Sequence, residues 1–235
     1  MKIRGARRCQ DCGREWSYYE TGEVACPTCG SLRSVGVDER TTHTDSAAEL
    51  DLSPHRSAFE ETPRREFAGD LKSTLREYRR RRGFISGGDL LELDDTYLAA
   101  SELLHAADVY ARLRDPSDEV RLYVMALLGR ADRGERPAAG DVPDAMTAAR
   151  GLGYVEAVGA YRRELSTWLD DHPDPAASEV LGTVREHTKR VEALQGDVPP
   201  EEVEAIVRAV RDVSRALRED DESALAGAQD RLARL

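Results

Sequence analysis

Residues 9–30 read CQDCGREWSYYETGEVACPTCG, and this stretch decides how the N-terminal part of the chain folds. It holds all four cysteines of the 235-residue sequence, Cys9, Cys12, Cys26 and Cys29, in the spacing C-x2-C-x13-C-x2-C. A disulfide-stapled domain spreads its cysteines along the chain. Two tight Cys-x-x-Cys pairs instead suit one tetrahedral ion, because each pair forms a turn that presents two thiolates from one side. Gly13 and Gly30 each follow the second cysteine of a pair, where such a turn needs a residue tolerant of positive φ. Between the pairs, aromatic β-formers at Glu15–Tyr19, a Thr21-Gly22 turn and Glu23–Ala25 read as a hairpin. The expectation for residues 1–37 is a small β ribbon closed by a four-sulfur metal site.

The motif CQDCG…TGEVACPTCG resembles the zinc ribbon of the archaeal and eukaryotic transcription factor B family. The resemblance covers about the first 35 residues, and it implies zinc on the four cysteines. The continuation SLRSVGVDERTTHTD and the acidic, lysine-poor body look like a family of zinc-ribbon proteins from extremely halophilic archaea. Transcription factor B continues into two cyclin-like repeats that bind polymerase and promoter DNA. Residues 65–235 show no tandem repeat, so the ribbon carries over and promoter binding does not. A rubredoxin-type iron centre uses the same ligands. A di-iron bundle, as in rubrerythrins, would also need two Glu-x-x-His motifs. Glu102-x-x-His105 is one, but Leu169 and Val184 occupy the matching positions before His172 and His187. Zinc is therefore preferred to iron.

Charge separates the head from the rest. The chain carries 45 acids and 34 bases, a net −11, and only Lys2, Lys72 and Lys189 are lysines. Residues 1–40 balance to +1, leaving −12 on residues 41–235. Phosphates repel such a body, so nucleic acid is expected to meet the ribbon only. The candidate contacts are Arg4, Arg7, Arg8 and Arg14 beside the first knuckle, with Trp16 as a stacking residue or as ribbon core. The arginine bias and acid excess fit a GC-rich genome and a surface adapted to concentrated salt. No apolar run is long enough for a membrane span, and MKIRGARRC lacks a signal-peptide core, so the expected location is the cytoplasm.

Residues 38–63 are polar, aperiodic and punctuated by Pro54 and Pro63, which reads as a linker with solvated His43 and His55. From Arg64 onward a helical period takes over. Phe67, Leu71, Leu75 and Tyr78 share one face, and Gly83 stops that helix. Further helices are expected over 93–113, from Asp115-Pro116 to Arg130, over 143–152 and 155–171, from Asp174-Pro175, over 199–218 and over 222–235. The fold class is mainly α: a β ribbon, a linker and an all-α bundle or array of about eight helices in residues 64–235. The tetratricopeptide signature is absent.

Motifs for catalysis are missing. There is no phosphate-binding G-x-x-x-x-G-K-[ST], no G-x-S-x-G and no H-E-x-x-H. Gly87-Gly88-Asp89 reads as a helix-entry turn, and His105, His187 and Trp168 as packed residues. The arginine-rich stretch Arg64–Arg82 reads as ion-pair partners for the acidic body, because consecutive residues spread around a helix. A non-enzymatic adaptor with a structural metal ribbon and an unidentified protein partner is the leading expectation. The alternative is an enzyme or ligand-binding helical domain, which a buried ionisable cluster near His105 or His187 would favour.

Overall fold

A computed structural model describes residues 1–46 and 48–235. Its elements in chain order are β1 (Lys2–Ile3), β2 (Ala6–Cys9), β3 (Glu15–Ser17), α1 (Tyr18–Thr21), β4 (Ser34–Gly36), β5 (Thr41–Thr42), α2 (Ser53–Ala58), α3 (Arg64–Arg81), β6 (Ile85–Ser86), β7 (Asp89–Leu90), α4 (Asp95–Arg112), α5 (Asp118–Arg130), α6 (Thr147–Leu169), α7 (Pro175–Ala193), α8 (Pro200–Glu219) and α9 (Glu222–Leu232). The protein is mainly α, and among the described residues its small strands all lie before residue 91. Among the described residues no helix is long and apolar enough to cross a membrane.

The chain forms two compact units, one of residues 1–48 and 80–91, the other of 49–79 and 92–235. In the first, β2 is the centre of an antiparallel sheet ordered β3-β2-β4. Arg7 stands opposite Trp16 on β3 and Gly36 on β4. A second ladder pairs β1 with β5, and a third pairs β6 with β7. The expected hairpin is only half present. Its first strand ends at Ser17, whose side chain caps the single turn α1, and Glu23–Ala25 is not a strand. The third strand comes instead from Ser34–Gly36, beyond the second knuckle.

Gly87 and Gly88, at φ +62° and +96°, form the two-residue turn between β6 and β7 rather than a helix entry. Two successive positive-φ positions are what a tight antiparallel hairpin requires. Gly83 acts through its missing side chain: a Cβ there would lie 2.3 Å from the Thr44 carbonyl carbon.

The second unit is helical. α4 packs against α6, α6 against α7 and α8, and α8 against α9. Gly153 of α6 lies on the backbone of Glu102, where a Cβ would come within 2.6 Å of the Glu102 Cα. α8 is the most amphipathic helix, burying Val203, Ile206, Val207, Val210 and Val213 along one face. Each such side chain contributes roughly 1.5–3 kcal/mol by leaving water.

Several boundaries differ from the sequence reading. Residues expected as two helices around Gly153 form the continuous α6. Glycine weakens a helix by about 1 kcal/mol, and burial against α4 outweighs that. Ser117, not Asp115, caps α5, accepting from the Val120 amide. Asp174 caps α7 as expected, accepting from the Ala177 amide at 2.9 Å.

Residues 38–63 contain buried side chains. Leu50, Leu52 and Phe59 are in the core, and Phe59 stacks on Tyr110 and meets Phe67 edge-on. His43 and His55 are buried, not solvated. His55 Nε2 pairs with Thr74 Oγ1 at 2.8 Å, and His43 Nδ1 accepts from the Gly87 amide at 3.2 Å.

Candidate metal centre

The two Cys-x-x-Cys turns have the same local design. The Gly13 amide donates to the Cys9 carbonyl at 3.1 Å, and the Gly30 amide to the Cys26 carbonyl at 2.8 Å. Both glycines hold the left-handed conformation, at φ +76° and +71°. Cys9 and Cys26 are buried, while Cys12 and Cys29 are exposed, so each turn supplies one inner and one outer sulfur.

All four sulfurs lie within 4.8 Å of one another. Cys9 and Cys29 are 3.6 Å apart, and Cys12 and Cys26 are 3.5 Å apart. A tetrahedron with metal–sulfur bonds of about 2.3 Å has edges of about 3.8 Å, so the donor set matches a closed four-sulfur site that could hold a metal ion.

Local electrostatics favour thiolates at the inner positions. The backbone N–H of Cys12 is the largest influence on Cys9 and holds its thiol below the ordinary value. Burial pushes Cys26 up, but the amides of Cys29 and Thr28 together with hydrogen bonds from the Cys12 and Cys29 thiols more than offset this and lower it to about 6. Cys12 and Cys29 also receive backbone N–H groups, from Arg14 and Ser31. Both nevertheless stand above the ordinary value, because they share hydrogen-bonded protons with neighbouring sulfurs. Metal binding displaces such protons.

Trp16 is part of this centre. Its ring is buried with Cys9 and Cys26, and its Nε1 donates to the Glu23 carbonyl at 3.0 Å. At 8 % exposure it belongs to the ribbon core.

The arginines beside the first knuckle do not form one patch. Arg7 and Arg8 alternate along β2 and so point to opposite faces. Arg8 pairs with Glu15 at 2.6 Å, and Arg14 is exposed after the first knuckle. Arg4 and Arg7 instead line a cavity of about 400 Å³ together with Lys2, Arg40, Tyr18 and Val24. Lys2, Tyr18 and Arg40 were not among the sequence candidates. Only the strand alternation at Arg7 hinted at this face.

The helical unit contains an ionisable cluster that motif reading missed. Glu102 and Arg150 are fully buried, with Arg150 Nε 2.9 Å from Glu102 Oε1. Tyr123 donates its hydroxyl to Glu102, and Arg150 also reaches the Tyr123 oxygen at 3.1 Å and the Pro137 carbonyl at 2.8 Å. Burial, reinforced by the Glu102 charge, keeps the Tyr123 phenol protonated far beyond its usual range. Arg136 bridges Glu204, Asp95 and the Tyr154 hydroxyl, and Arg211 donates to Asp95 at 2.7 Å. Asp95, Arg136, Glu204 and Arg211 also line an open polar cavity of about 680 Å³.

His105, three residues after Glu102, has its Nε2 3.1 Å from Glu156, which Arg79 also contacts at 3.1 Å. Much of the arginine-rich α3 is likewise spent on partners: Arg64 on the Leu113 and Arg114 carbonyls, Lys72 on Asp108 and Arg79 on Glu156. Trp168 is only half-buried and stacks on His172, so it is not core.

A small β unit with a four-cysteine cluster, followed by a helical unit, defines the class of protein. The chain belongs to a family described as a family of unknown function, DUF7117, whose model matches residues 1–232. No curated protein and no solved structure matches the chain.

Proposed function

We propose that this protein is a zinc-binding, non-enzymatic adaptor of the cytoplasm, whose transcription-factor-B-type ribbon docks on a component of the transcription or translation machinery. The observation that carries the reading is the closed set of four sulfurs. A metal held by four protein ligands has no open position for substrate, so its role is structural.

Exposed apolar surface supports docking through the ribbon. Among the described residues, Met1, Val24, Leu32, Val35 and Val37 of the first unit are exposed, against Leu122, Met125 and Leu194 in the far larger second unit. So many exposed large apolar side chains on the smaller unit offer surface for a partner to cover. The net −11 with three lysines supports a haloarchaeal origin, in which such contacts must work in concentrated salt.

The test is elemental analysis with affinity capture at high salt. Stoichiometric zinc and recovery of one defined partner, lost on Leu32→Ser with Val35→Ser, are expected. Stoichiometric iron with a rubredoxin-like spectrum, or a partner indifferent to those substitutions, would overturn the assignment.

A second reading is favoured by the buried Glu102–Arg150 pair beneath the polar residues Arg136 and Glu204: the helical unit is a ligand-binding domain and the ribbon stabilises its own unit alone. A small molecule that raises the melting temperature of the wild type but not of Arg208→Ala would support it, since Arg208 lines that cavity.

A further inference from the structure

The 400 Å³ cavity of the first unit is lined by Lys2, Arg4, Arg7 and Arg40, and no acid is among its lining residues. This is unusual in a chain with eleven more acids than bases. Its volume lies within the range of about 300–1,000 Å³ typical of ligand pockets.

The cations are positioned rather than merely numerous. Arg7 donates from Nε and Nη2 to Ser34 Oγ, at 3.0 and 2.9 Å, and Ser34 in turn donates to the Val24 carbonyl at 3.3 Å. This leaves Arg7 Nη1 for another acceptor. Arg4 lies across β4 because residue 36 is glycine: a Cβ there would stand 2.5 Å from the Arg4 Cβ. Arg4 Nη1 also reaches the Gly36 carbonyl, at 3.4 Å. Tyr18 and Val24 add an aromatic and an apolar wall beside the four cations.

We infer that this cavity binds a phosphate-bearing segment of single-stranded nucleic acid, with phosphates on Arg4, Arg7 and Arg40 and a base against Tyr18. A basic groove with an aromatic platform is the physical form of single-strand recognition, because every base offers a π-face. The acidic body repels a long duplex but not a short strand whose phosphates are neutralised locally. The inference deepens the docking role of the ribbon and removes Arg8, Arg14 and Trp16 from the contact set.

The experiment uses the full zinc-loaded chain and a fluorescent oligouridine. Anisotropy at about 50 mM salt should show binding, with a log–log salt slope of about −2 for three phosphates. Arg4→Ala with Arg40→Ala should weaken it about ten-fold or more. Arg33→Ala with Arg133→Ala, the same change in charge at arginines that do not line the cavity, should leave it nearly unaltered. Tyr18→Leu should weaken oligouridine and spare inorganic polyphosphate.

Zinc content and circular dichroism of each variant verify folding. Equal losses in both arginine pairs, an unaltered Tyr18→Leu, or binding to anionic phosphoinositide vesicles in place of RNA would overturn the inference. So would no binding at low salt. In that case stoichiometric zinc in the same sample leaves the adaptor reading standing.

Discussion

Glu102 and Arg150 meet at 2.9 Å with neither side chain exposed to solvent. Breaking a buried pair strands the remaining charge, so Glu102→Ala should cost about 3–5 kcal/mol in urea denaturation. Arg150→Met should cost a similar amount, and the double variant clearly less than the sum of the two. Additive losses would show that the two side chains are not energetically paired.

The contact of Gly153 with the Glu102 backbone is a second sensitive point. Gly153→Ala should push α4 and α6 apart and lose about 1–3 kcal/mol, despite alanine's better helix propensity. Gly182 has open space around its Cα, so Gly182→Ala should be neutral or slightly stabilising. Thermal melts of the two variants compare these outcomes directly.

Removing the metal should act on the first unit, since all four cysteines lie there. In a Trp168→Phe background, chelator should red-shift Trp16 fluorescence as its buried site opens, while most far-UV helical signal remains. Cys26→Ser should produce the same spectrum without chelator. Collapse of the helical signal would show that the metal supports the helices too.

His55 gives a pH dependence of known sign. Burial holds its folded-state pKa below the ordinary imidazole value of about 6.5. Between that lowered value and 6.5 the unfolded chain binds the extra proton, so stability falls as pH drops through this window. His55→Gln should flatten the wild-type slope there and leave the curve above about pH 7.5 parallel to it. An unchanged slope would place the titration on another group.

Much of the fold was legible because it is local. The apolar spacing Phe67-Leu71-Leu75-Tyr78 gave α3, Asp174-Pro175 gave the start of α7, and the spacing of the four cysteines gave a cluster that could hold a metal. What escaped is decided by neighbours distant in sequence. Glu102 and Arg150 are polar letters in apolar helices, and only the crossing of α4 and α6 joins them. Leu50, Leu52 and Phe59 sit too sparsely among polar residues to reveal a period, so their burial was invisible. The glycines at 87 and 88 were ambiguous because strands of two residues leave almost no alternation to read.

The first unit is discontinuous, combining residues 1–48 with 80–91. During synthesis the four cysteines leave the ribosome together and before residues 80–91, so a metal ion could be captured before the rest of their unit exists. The unit itself stays unfinished until the β6–β7 hairpin has been made. A nascent chain halted before Gly83 would present a knuckle pair able to take up a metal on an incomplete scaffold. Cleavage at residue 40 or 63 would yield a fragment with the same deficiency, so metal loading would not certify that the unit around it had folded.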